Sequence, residues 1–421
     1  MIDIDRLSNG IQTIIEPIPH VRSVAMGIYV QCGSAYEDQE NNGISHMIEH
    51  MLFKGTANHT AKELAIKTTL LGDDVNAFTS KELTCYYAKV IDEKLPELIE
   101  LFGDMFCNSL FAEEDLMREK SVIYDEIDMY EDSPEDLVQE QFQRVVWKDH
   151  PLGYIISGTK ENVERITGAD LREYYKKNYT GDRILISIAG NVTVGTVKEM
   201  LEKQFHRIPA SHSQTIRTFH VPEYRPAKQS FSKETEQVHL CVGLPGVSYR
   251  SEHYYTLSIL NSIFGGSSCS RLFQQIREDK GLCYTIFSYL SCYLGTGTFQ
   301  IYSAMGEEDV EEVYSGIYRI FKELKSAKVT SEEIDQTMAQ IRSELILAQE
   351  NTNSRMDQNA RNMLYHGRMI TMEETIAQYE KVSREAIMDY MNSYMKEDQL
   401  SMTIVGDFED RPSLQRIYDG L

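Results

Sequence analysis

Two histidines and a glutamate stand within five consecutive residues, in the pentad His46-Met47-Ile48-Glu49-His50. On a helix, residues i, i+3 and i+4 share one face, so both imidazoles and the Glu49 carboxylate would point in one direction. Imidazole nitrogens are zinc ligands, and a catalytic zinc usually has three protein ligands and one open position. The pentad therefore predicts two metal ligands and a general base, with the third ligand supplied from elsewhere in the chain.

The alternative is an amphipathic helix that carries two surface histidines, because an H-x-x-E-H match also arises by chance. The residues around the polar trio argue against this alternative, since they are apolar: Met47, Ile48, Met51, Leu52 and Phe53. Polar groups in so apolar a helix are costly to bury unless something binds them. The flanking residues therefore favour a metal site.

A second, acidic helix offers the third ligand. Residues 113–131 read EEDLMREKSVIYDEIDMYE, and acidic residues in the first turn suit a helix N-terminus. Glu119 and Glu126 are seven residues apart and would share one face. Glu126 is the candidate ligand, and Glu119 is a candidate for orienting a ligand from outside the metal's own shell. Spacing alone does not select these two from the other acids of the helix, most of which we expect to be solvated.

Strands and helices around the pentad follow from hydrophobic patterning. We predict strands at 21–31, 83–91 and Arg183–Gly190, with residues 72–80 able to pair with 83–91. Helices are expected at about 43–54, 61–71, 93–109, 113–131 and 134–147.

The second half of the chain resembles the first. Residues 238–249 resemble 23–36, residues 254–266 occupy the place of 44–55, and 400–408 echo 184–192. In this alignment Thr256, Ile259 and Leu260 stand at the positions of His46, Glu49 and His50, which we call the polar trio. The self-similarity predicts two α/β modules of about 200 residues, one catalytic and one not. We assign the chain to the α+β class (α/β sandwich-type), with two homologous modules that are each a mostly antiparallel sheet covered by helices.

A proline-containing stretch separates the two modules. It lies between about 207 and 230 and carries Pro209, Pro222 and Pro226. We place a catalytic zinc-binding domain at 1–210, a linker at 211–230 and a non-catalytic homologous domain at 231–421.

Composition narrows the class of protein. The chain has 421 residues, of which 42% are hydrophobic and 25% charged, as in ordinary globular proteins. No apolar run approaches the roughly 18 residues of a membrane span, and no secretory signal pattern is visible. Seven scattered cysteines without a C-x-x-C pair indicate reduced thiols. We therefore expect a cytoplasmic protein with no membrane partner.

The net charge is −23, with 65 acidic against 42 basic residues. Phosphate binding needs a basic surface, so nucleic acid is not an expected partner. Two interpretations of the acidity remain open. It is either a solvated acidic surface, or part of it lines a cavity and attracts basic substrates.

Together these motifs resemble those of the pitrilysin/insulinase family of zinc peptidases, the M16 inverzincins. In that family an H-x-x-E-H motif is followed after about 75 residues by a ligand glutamate, and another glutamate stands seven residues before the ligand. Here His50 and Glu126 are 76 positions apart, and Glu119 matches the second glutamate. The resemblance covers essentially the whole chain and is strongest to single chains of this length, the bacterial processing-peptidase-like subfamily.

The resemblance also implies substrate-binding residues. The stretch containing Asn76, Ala77 and Phe78 resembles the family's active-site edge strand, which holds substrate backbone. The segment GGSSCSRLFQQIREDKGLCY resembles the one that supplies an arginine and a tyrosine near the scissile carbonyl, here Arg277 and Tyr284. Without the resemblance, Arg277 would be interpreted as a surface ion pair and Tyr284 as a packed core ring.

The resemblance implies a zinc endopeptidase that cleaves extended peptides or unfolded segments, with one Zn²⁺ per chain and Glu49 as general base and then acid. Peptides, including basic ones, are the expected substrates, and the expected assembly is a homodimer or a heterodimer with an inactive paralogue. Two alternatives stay open. One is a non-catalytic peptide-binding subunit of a heterodimeric processing peptidase, and the other is a zinc hydrolase of another bond type.

Overall fold

Two β-sheets organise the structure, which is a computed structural model that describes residues 2–72, 75–211, 221–326, 329–409 and 411–420. In chain order the strands are β1 (Asp3–Arg6), β2 (Gln12–Pro17), β3 (Ser23–Val30), β4 (Val75–Thr79), β5 (Thr84–Ile91), β6 (Ile184–Gly190), β7 (Lys228–Ser232), β8 (Val238–Pro245), β9 (Thr285–Cys292), β10 (Gly297–Met305) and β11 (Ser401–Gly406).

The α-helices are α1 (Ile44–Leu52), α2 (Ala61–Leu71), α3 (Leu95–Asn108), α4 (Glu113–Asp132), α5 (Pro134–Val146), α6 (Lys160–Arg165), α7 (Gly168–Asn178), α8 (Val194–Phe205), α9 (Tyr254–Phe264), α10 (Val310–Lys325), α11 (Ser331–Ala348), α12 (Thr352–Arg361), α13 (Met372–Tyr379), α14 (Arg384–Tyr394) and α15 (Pro412–Gly420). Within the described ranges, no helix is long and apolar enough to cross a membrane.

Each sheet belongs to one compact unit assembled from three chain segments. Unit 1 comprises Met1–Asp128, Tyr154–Phe219 and Leu347–Met369. Unit 2 comprises Met129–Gly153, His220–Ile346 and Ile370–Leu421. The predicted domains 1–210 and 231–421 differ from these units by the exchanged segments and stay a prediction about the two halves of the sequence. The predicted linker 211–230 lies partly outside the described residues.

The sheet of unit 1 has the strand order β1-β2-β6-β3-β5-β4. Among its described strands only β2 and β6 run parallel, and the other neighbours are antiparallel. The central strands β3 (SVAMGIYV) and β6 (ILISIAG) are apolar along almost their whole length and are buried. A strand of that composition needs cover on both faces of the sheet. Strand β4 lies at the outer edge, next to β5.

The sheet of unit 2 has five strands in the order β7-β11-β8-β10-β9, which repeats the arrangement β2-β6-β3-β5-β4 without a counterpart of β1. Its β7–β11 pair is parallel like β2–β6, and β8 runs antiparallel to both β10 and β11, as β3 does to β5 and β6. Helix α9 takes the chain position of α1, with Thr256, Ile259 and Leu260 buried in it. The predicted α+β fold of two homologous modules is therefore confirmed.

Each half of the chain lends one helix to the sheet of the other half. Helix α12 packs on β2, β3 and β6 within unit 1, and α5 packs on β8 and β11 within unit 2. In unit 1, Glu16 pairs with Arg355 and accepts a hydrogen bond from Asn359 Nδ2 at 2.9 Å. Met356 is 3% exposed, and its sulfur lies only 2.5 Å from the position that a Cβ on Gly27 would take. These helices thus cover the second face that the apolar central strands require.

We expect Met356→Ala to lower the free energy of unfolding by about 3 kcal/mol, because it leaves a cavity between α12 and β3. Urea unfolding followed by circular dichroism measures this loss. Met117→Ala is the matched control, since the Met117 side chain is 55% exposed on α4 and its removal should change stability little. Equal stabilities for the two variants would contradict an integral role of α12 in unit 1.

Candidate metal centre

Helix α1 positions the pentad. It begins after Gly43, whose φ of +96° lies in the left-handed region that favours glycine, and a Cβ there would stand 2.6 Å from the Ser157 carbonyl oxygen. The helix buries its apolar residues in the core: Ile44, Met47, Ile48, Met51 and Leu52. His46 is itself only 7% exposed. The alternative of an amphipathic helix with two surface histidines is therefore wrong.

The two histidines of α1 and Glu126 of α4 form one cluster. A ligand atom from each of the three lies within 4.8 Å of the others, and this is the one such cluster found among the described residues. The Nε2 atoms of His46 and His50 each lie 3.6 Å from one oxygen of the Glu126 carboxylate. The structure thus brings together all three predicted metal ligands.

Glu119 stands behind His50, two helical turns before Glu126. The His50 Nδ1 lies 3.2 Å from Glu119 Oε2, and Lys54 Nζ donates to Glu119 Oε1 at 2.8 Å. A hydrogen bond to the second ring nitrogen fixes the tautomer and orientation of a ligating histidine. Glu119 is therefore placed for the orienting role predicted for it, and Lys54 holds it there.

Glu49 is held by the edge strand. Its Oε2 accepts a hydrogen bond from the Thr79 hydroxyl at 2.5 Å, and Thr79 is the last residue of β4. Burial raises the pKa of the Glu49 carboxyl, and the Thr79 hydrogen bond opposes that rise. A raised pKa brings a carboxylate closer to the range in which it exchanges protons during general base catalysis.

The two histidines have opposite electrostatic surroundings. Burial, and then the neighbouring His50, lower the pKa of His46 to about 4. Burial also lowers the pKa of His50, but hydrogen bonds to Glu119 and Glu126 outweigh it and raise that pKa to about 9. Burial thus favours the neutral form of the His46 imidazole, whereas the Glu119 and Glu126 carboxylates favour positive charge at His50.

The predicted substrate-binding strand is at the edge of the sheet. Asn76 is exposed, Ala77 and Phe78 are partly buried, and all three lie on β4. The Phe78 ring lies 6.1 Å from the ring of Tyr87 on β5, the strand that pairs with β4. The backbone of β4 on the side away from β5 is therefore a candidate for pairing with an extended peptide.

The predicted arginine and tyrosine adjoin one another in unit 2. Arg277 lies in a π-helical turn (Phe273–Glu278), and its guanidinium stands 4.5 Å from the Phe273 ring and 5.7 Å from the Tyr284 ring. Tyr284 is 76% exposed, so the alternative of a packed core ring is wrong. With Gly265 and Gly266 they line a cavity of about 280 Å³. Their predicted role at the substrate stays a prediction.

Sequence reasoning missed two side chains that hold the site. Lys54 pairs with Glu119, and Thr79 binds Glu49. Thr79 belongs to the stretch that resembles the family's edge strand, but nothing in the sequence indicates its contact with Glu49. Lys54 follows His50 by four residues and carries no signal of its own. Both partnerships form only when α1 packs beside α4 and β4.

Comparison with known proteins identifies the family to which the chain belongs. Residues 12–160 match the family model described as insulinase (peptidase family M16), and residues 165–341 match the model described as peptidase M16 inactive domain. The chain belongs to peptidase family M16. This agrees with one half that carries the cluster and a second half in which α9 has lost the trio.

The relatives carry related names. An uncharacterized zinc protease of Bacillus subtilis (strain 168), YmxG, is 40% identical over 405 residues, covering 96% of this chain and 98% of the relative. An uncharacterized zinc protease of Rickettsia felis is 34% identical over 397 residues, covering 93% and 94%. The crystal structure of a protease from Helicobacter pylori aligns with a TM-score of 0.89 at 19% identity over 96% and 99% of the two chains, which shows the shared fold.

The donor set suits zinc. Two imidazoles and one carboxylate are a common three-ligand set of catalytic zinc sites, which leave a fourth position open. The carboxylates of Glu119 and Glu126 give the cluster a negative environment, which favours a dication. His46, His50 and Glu126 are thus the residues that would hold the ion.

We expect the purified chain to hold about one zinc and Glu126→Gln to hold much less, because the variant loses an anionic ligand. Glu119→Gln should keep zinc with about 10–100-fold lower affinity, since it weakens the orientation of His50. Elemental analysis and competition with a chromogenic chelator measure both effects. Glu114→Gln on the same helix is the control, because Glu114 is exposed and pairs with Arg118. Full zinc retention in Glu126→Gln would contradict the ligand assignment.

Proposed function

We propose that this protein is a zinc-dependent endopeptidase that hydrolyses peptide bonds in extended peptides or unfolded segments. The observation that carries the proposal is the convergence of His46, His50 and Glu126 within 4.8 Å, with Glu49 on the same helix as both histidines. A metal cluster without a base suits binding or structure, whereas this one has a carboxylate beside it. Family membership and the names of the relatives support the same conclusion.

Glu49 is the proposed general base. Zinc, when bound, supplies a Lewis acid that polarises the peptide carbonyl and makes water more acidic. Thr79 occupies Oε2 of Glu49, so we assign proton uptake to Oε1. Glu49 takes a proton from the attacking water and then passes it to the leaving amine. Glu119 and Lys54 keep His50 in its ligating orientation throughout.

The peptide is proposed to bind as an additional strand along β4, through the backbone of Asn76, Ala77 and Phe78. This mode takes most of its affinity from main-chain hydrogen bonds, so sequence specificity should be loose. Because Thr79 ends the same strand and binds Glu49, the strand that would hold the substrate is continuous with the group that holds the base.

Arg277 and Tyr284 are proposed to contact the substrate near the scissile carbonyl. The exposure of Tyr284 and the position of the partly buried Arg277 guanidinium over the Tyr284 ring support a binding role. A cationic guanidinium and a phenol hydroxyl are donors of the kind that stabilise a developing oxyanion. We also propose a cytoplasmic homodimer acting on peptides, including basic ones, with a heterodimer as the alternative assembly.

Glu49→Gln should reduce kcat for an unstructured basic peptide by about 10²–10⁴-fold while zinc content stays at the wild-type level, because the amide cannot accept the proton. Peptide cleavage followed by mass spectrometry, beside elemental analysis, measures both quantities. Glu40→Gln serves as the control, since Glu40 is exposed and outside the cluster. A wild-type chain that holds zinc and cleaves nothing would contradict the proposal and favour a peptide-binding subunit.

Thr79→Val should lower kcat about 10–100-fold with little change in KM or zinc content, because it removes a hydrogen bond to a carboxylate at nearly constant shape. Thr79→Ser keeps the hydroxyl and should retain most of the activity. Steady-state kinetics with the same peptide separates the two constants. If serine reduces kcat as much as valine does, strand packing rather than the hydroxyl supports Glu49.

A further inference from the structure

The two ligating histidines are oriented by different means. His50 has Glu119 at its Nδ1, at 3.2 Å. The Nδ1 of His46 is buried and has no hydrogen-bond partner among the residues that the structure describes. Metal-ligating histidines are usually fixed by a hydrogen bond at the second ring nitrogen. Because His46 lacks one, its orientation must come from the backbone that carries it and from the packing around its ring.

The backbone at the start of α1 is held by the side chain of Glu37, a carboxylate that has no part in the proposed chemistry. Glu37 is 1% exposed. Its Oε2 accepts from Gly43 N–H at 2.8 Å and from Asn42 Nδ2 at 2.9 Å, and its Oε1 accepts from Ser45 N–H at 2.8 Å. Burial raises the pKa of this carboxyl, and these donors oppose the rise. Ser45 immediately precedes His46.

The N-terminus of α1 has no side-chain cap of the ordinary kind. Gly43 occupies the capping position and offers no side chain, although a helix leaves its first amides without internal partners. Glu37 fills this role from outside the helix, with two backbone amides on its two carboxylate oxygens. A negative charge is also favourable at a helix N-terminus. The two-point attachment fixes both the start and the rotation of the first turn.

We propose that Glu37 is a positioning residue for the metal centre, which sets the orientation of His46 by clamping the first turn of α1. This inference rests on the zinc site of the proposed function. Glu37 acts through the backbone of residues 43–45, and so does for His46 what Glu119 does for His50. The two histidines of one helix are thus aligned by different means, His46 through its peptide backbone and His50 through its ring.

The test compares zinc affinity, by chelator competition, in Glu37→Gln, Glu37→Asp and Asn9→Ala variants of the full chain. Asn9 is a matched control because it is also buried and secures a helix end in unit 1, donating to the Phe205 and Ile208 carbonyl oxygens at 2.9 and 3.0 Å. Its loss should lower the thermal midpoint without moving α1. Visible absorption of the Co²⁺-loaded proteins reports ligand geometry independently of stability.

We expect Glu37→Gln to bind zinc about tenfold or more weakly and to change the Co²⁺ spectrum, with Glu37→Asp between it and the wild type. Asn9→Ala should bind zinc and Co²⁺ like the wild type despite its lower midpoint. Wild-type affinity and spectrum in a folded Glu37→Gln would overturn the inference. If the glutamine variant does not fold, wild-type zinc affinity in Glu37→Asp would overturn it. A wild-type chain that takes up no zinc would contradict the proposed function itself.

Discussion

Holding ionisable groups from two helices together in a partly buried space is the constraint on which the rest of unit 1 depends. His46, His50 and Glu126 lie within 4.8 Å of one another, with the Glu119 carboxylate directly behind His50. Desolvation disfavours the charged form of each side chain, and only a nearby opposite charge or a metal ion offsets that cost. Burial lowers the pKa of His46, whereas the hydrogen bonds of His50 to Glu119 and Glu126 raise the pKa of His50. Everything that fixes α1 or α4 therefore acts on the site.

The two homologous units differ in the side chains that their equivalent helices α1 and α9 carry. The five-stranded sheet of unit 2 has the same strand order as five of the six strands in the sheet of unit 1, and α9 takes the chain position of α1. In α9 the positions of the trio hold Thr256, Ile259 and Leu260, all buried, so that copy packs as an ordinary core helix. Burying His46 and partly burying Glu49 and His50 costs more free energy than burying Thr256, Ile259 and Leu260 in the second copy. The polar trio persists only in the half where a ligand can compensate for that cost.

Local features of the sequence were enough to predict much of this. The spacing of His46, Glu49 and His50 predicted a helix with one functional face, and the apolar runs predicted strands that became β3, β5 and β6. The repeat predicted the second sheet. Resemblance to the M16 family, rather than spacing, selected Glu126. What sequence could not supply were partnerships between distant segments: Lys54 with Glu119, Thr79 with Glu49, and the exchanged helices α5 and α12. Each of these contacts depends on tertiary packing, which the hydrophobic periodicity of a sequence does not indicate.

Each part of the polar trio is held in place by a residue from another segment of unit 1. Glu49 is held by Thr79 at the end of β4, His50 by Glu119, and the first turn of α1 by Glu37. None of these three partners is itself a metal ligand, and they come from three separate parts of unit 1. A helix alone would place the trio on one face, but side chains on an unsupported face retain rotamer freedom. Hydrogen bonds restrict the Glu49 and His50 side chains, and Glu37 restricts the backbone that carries His46. In the proposed peptidase these attachments would preorganise the site before the substrate binds, and preorganisation lowers the free energy needed to reach the transition state.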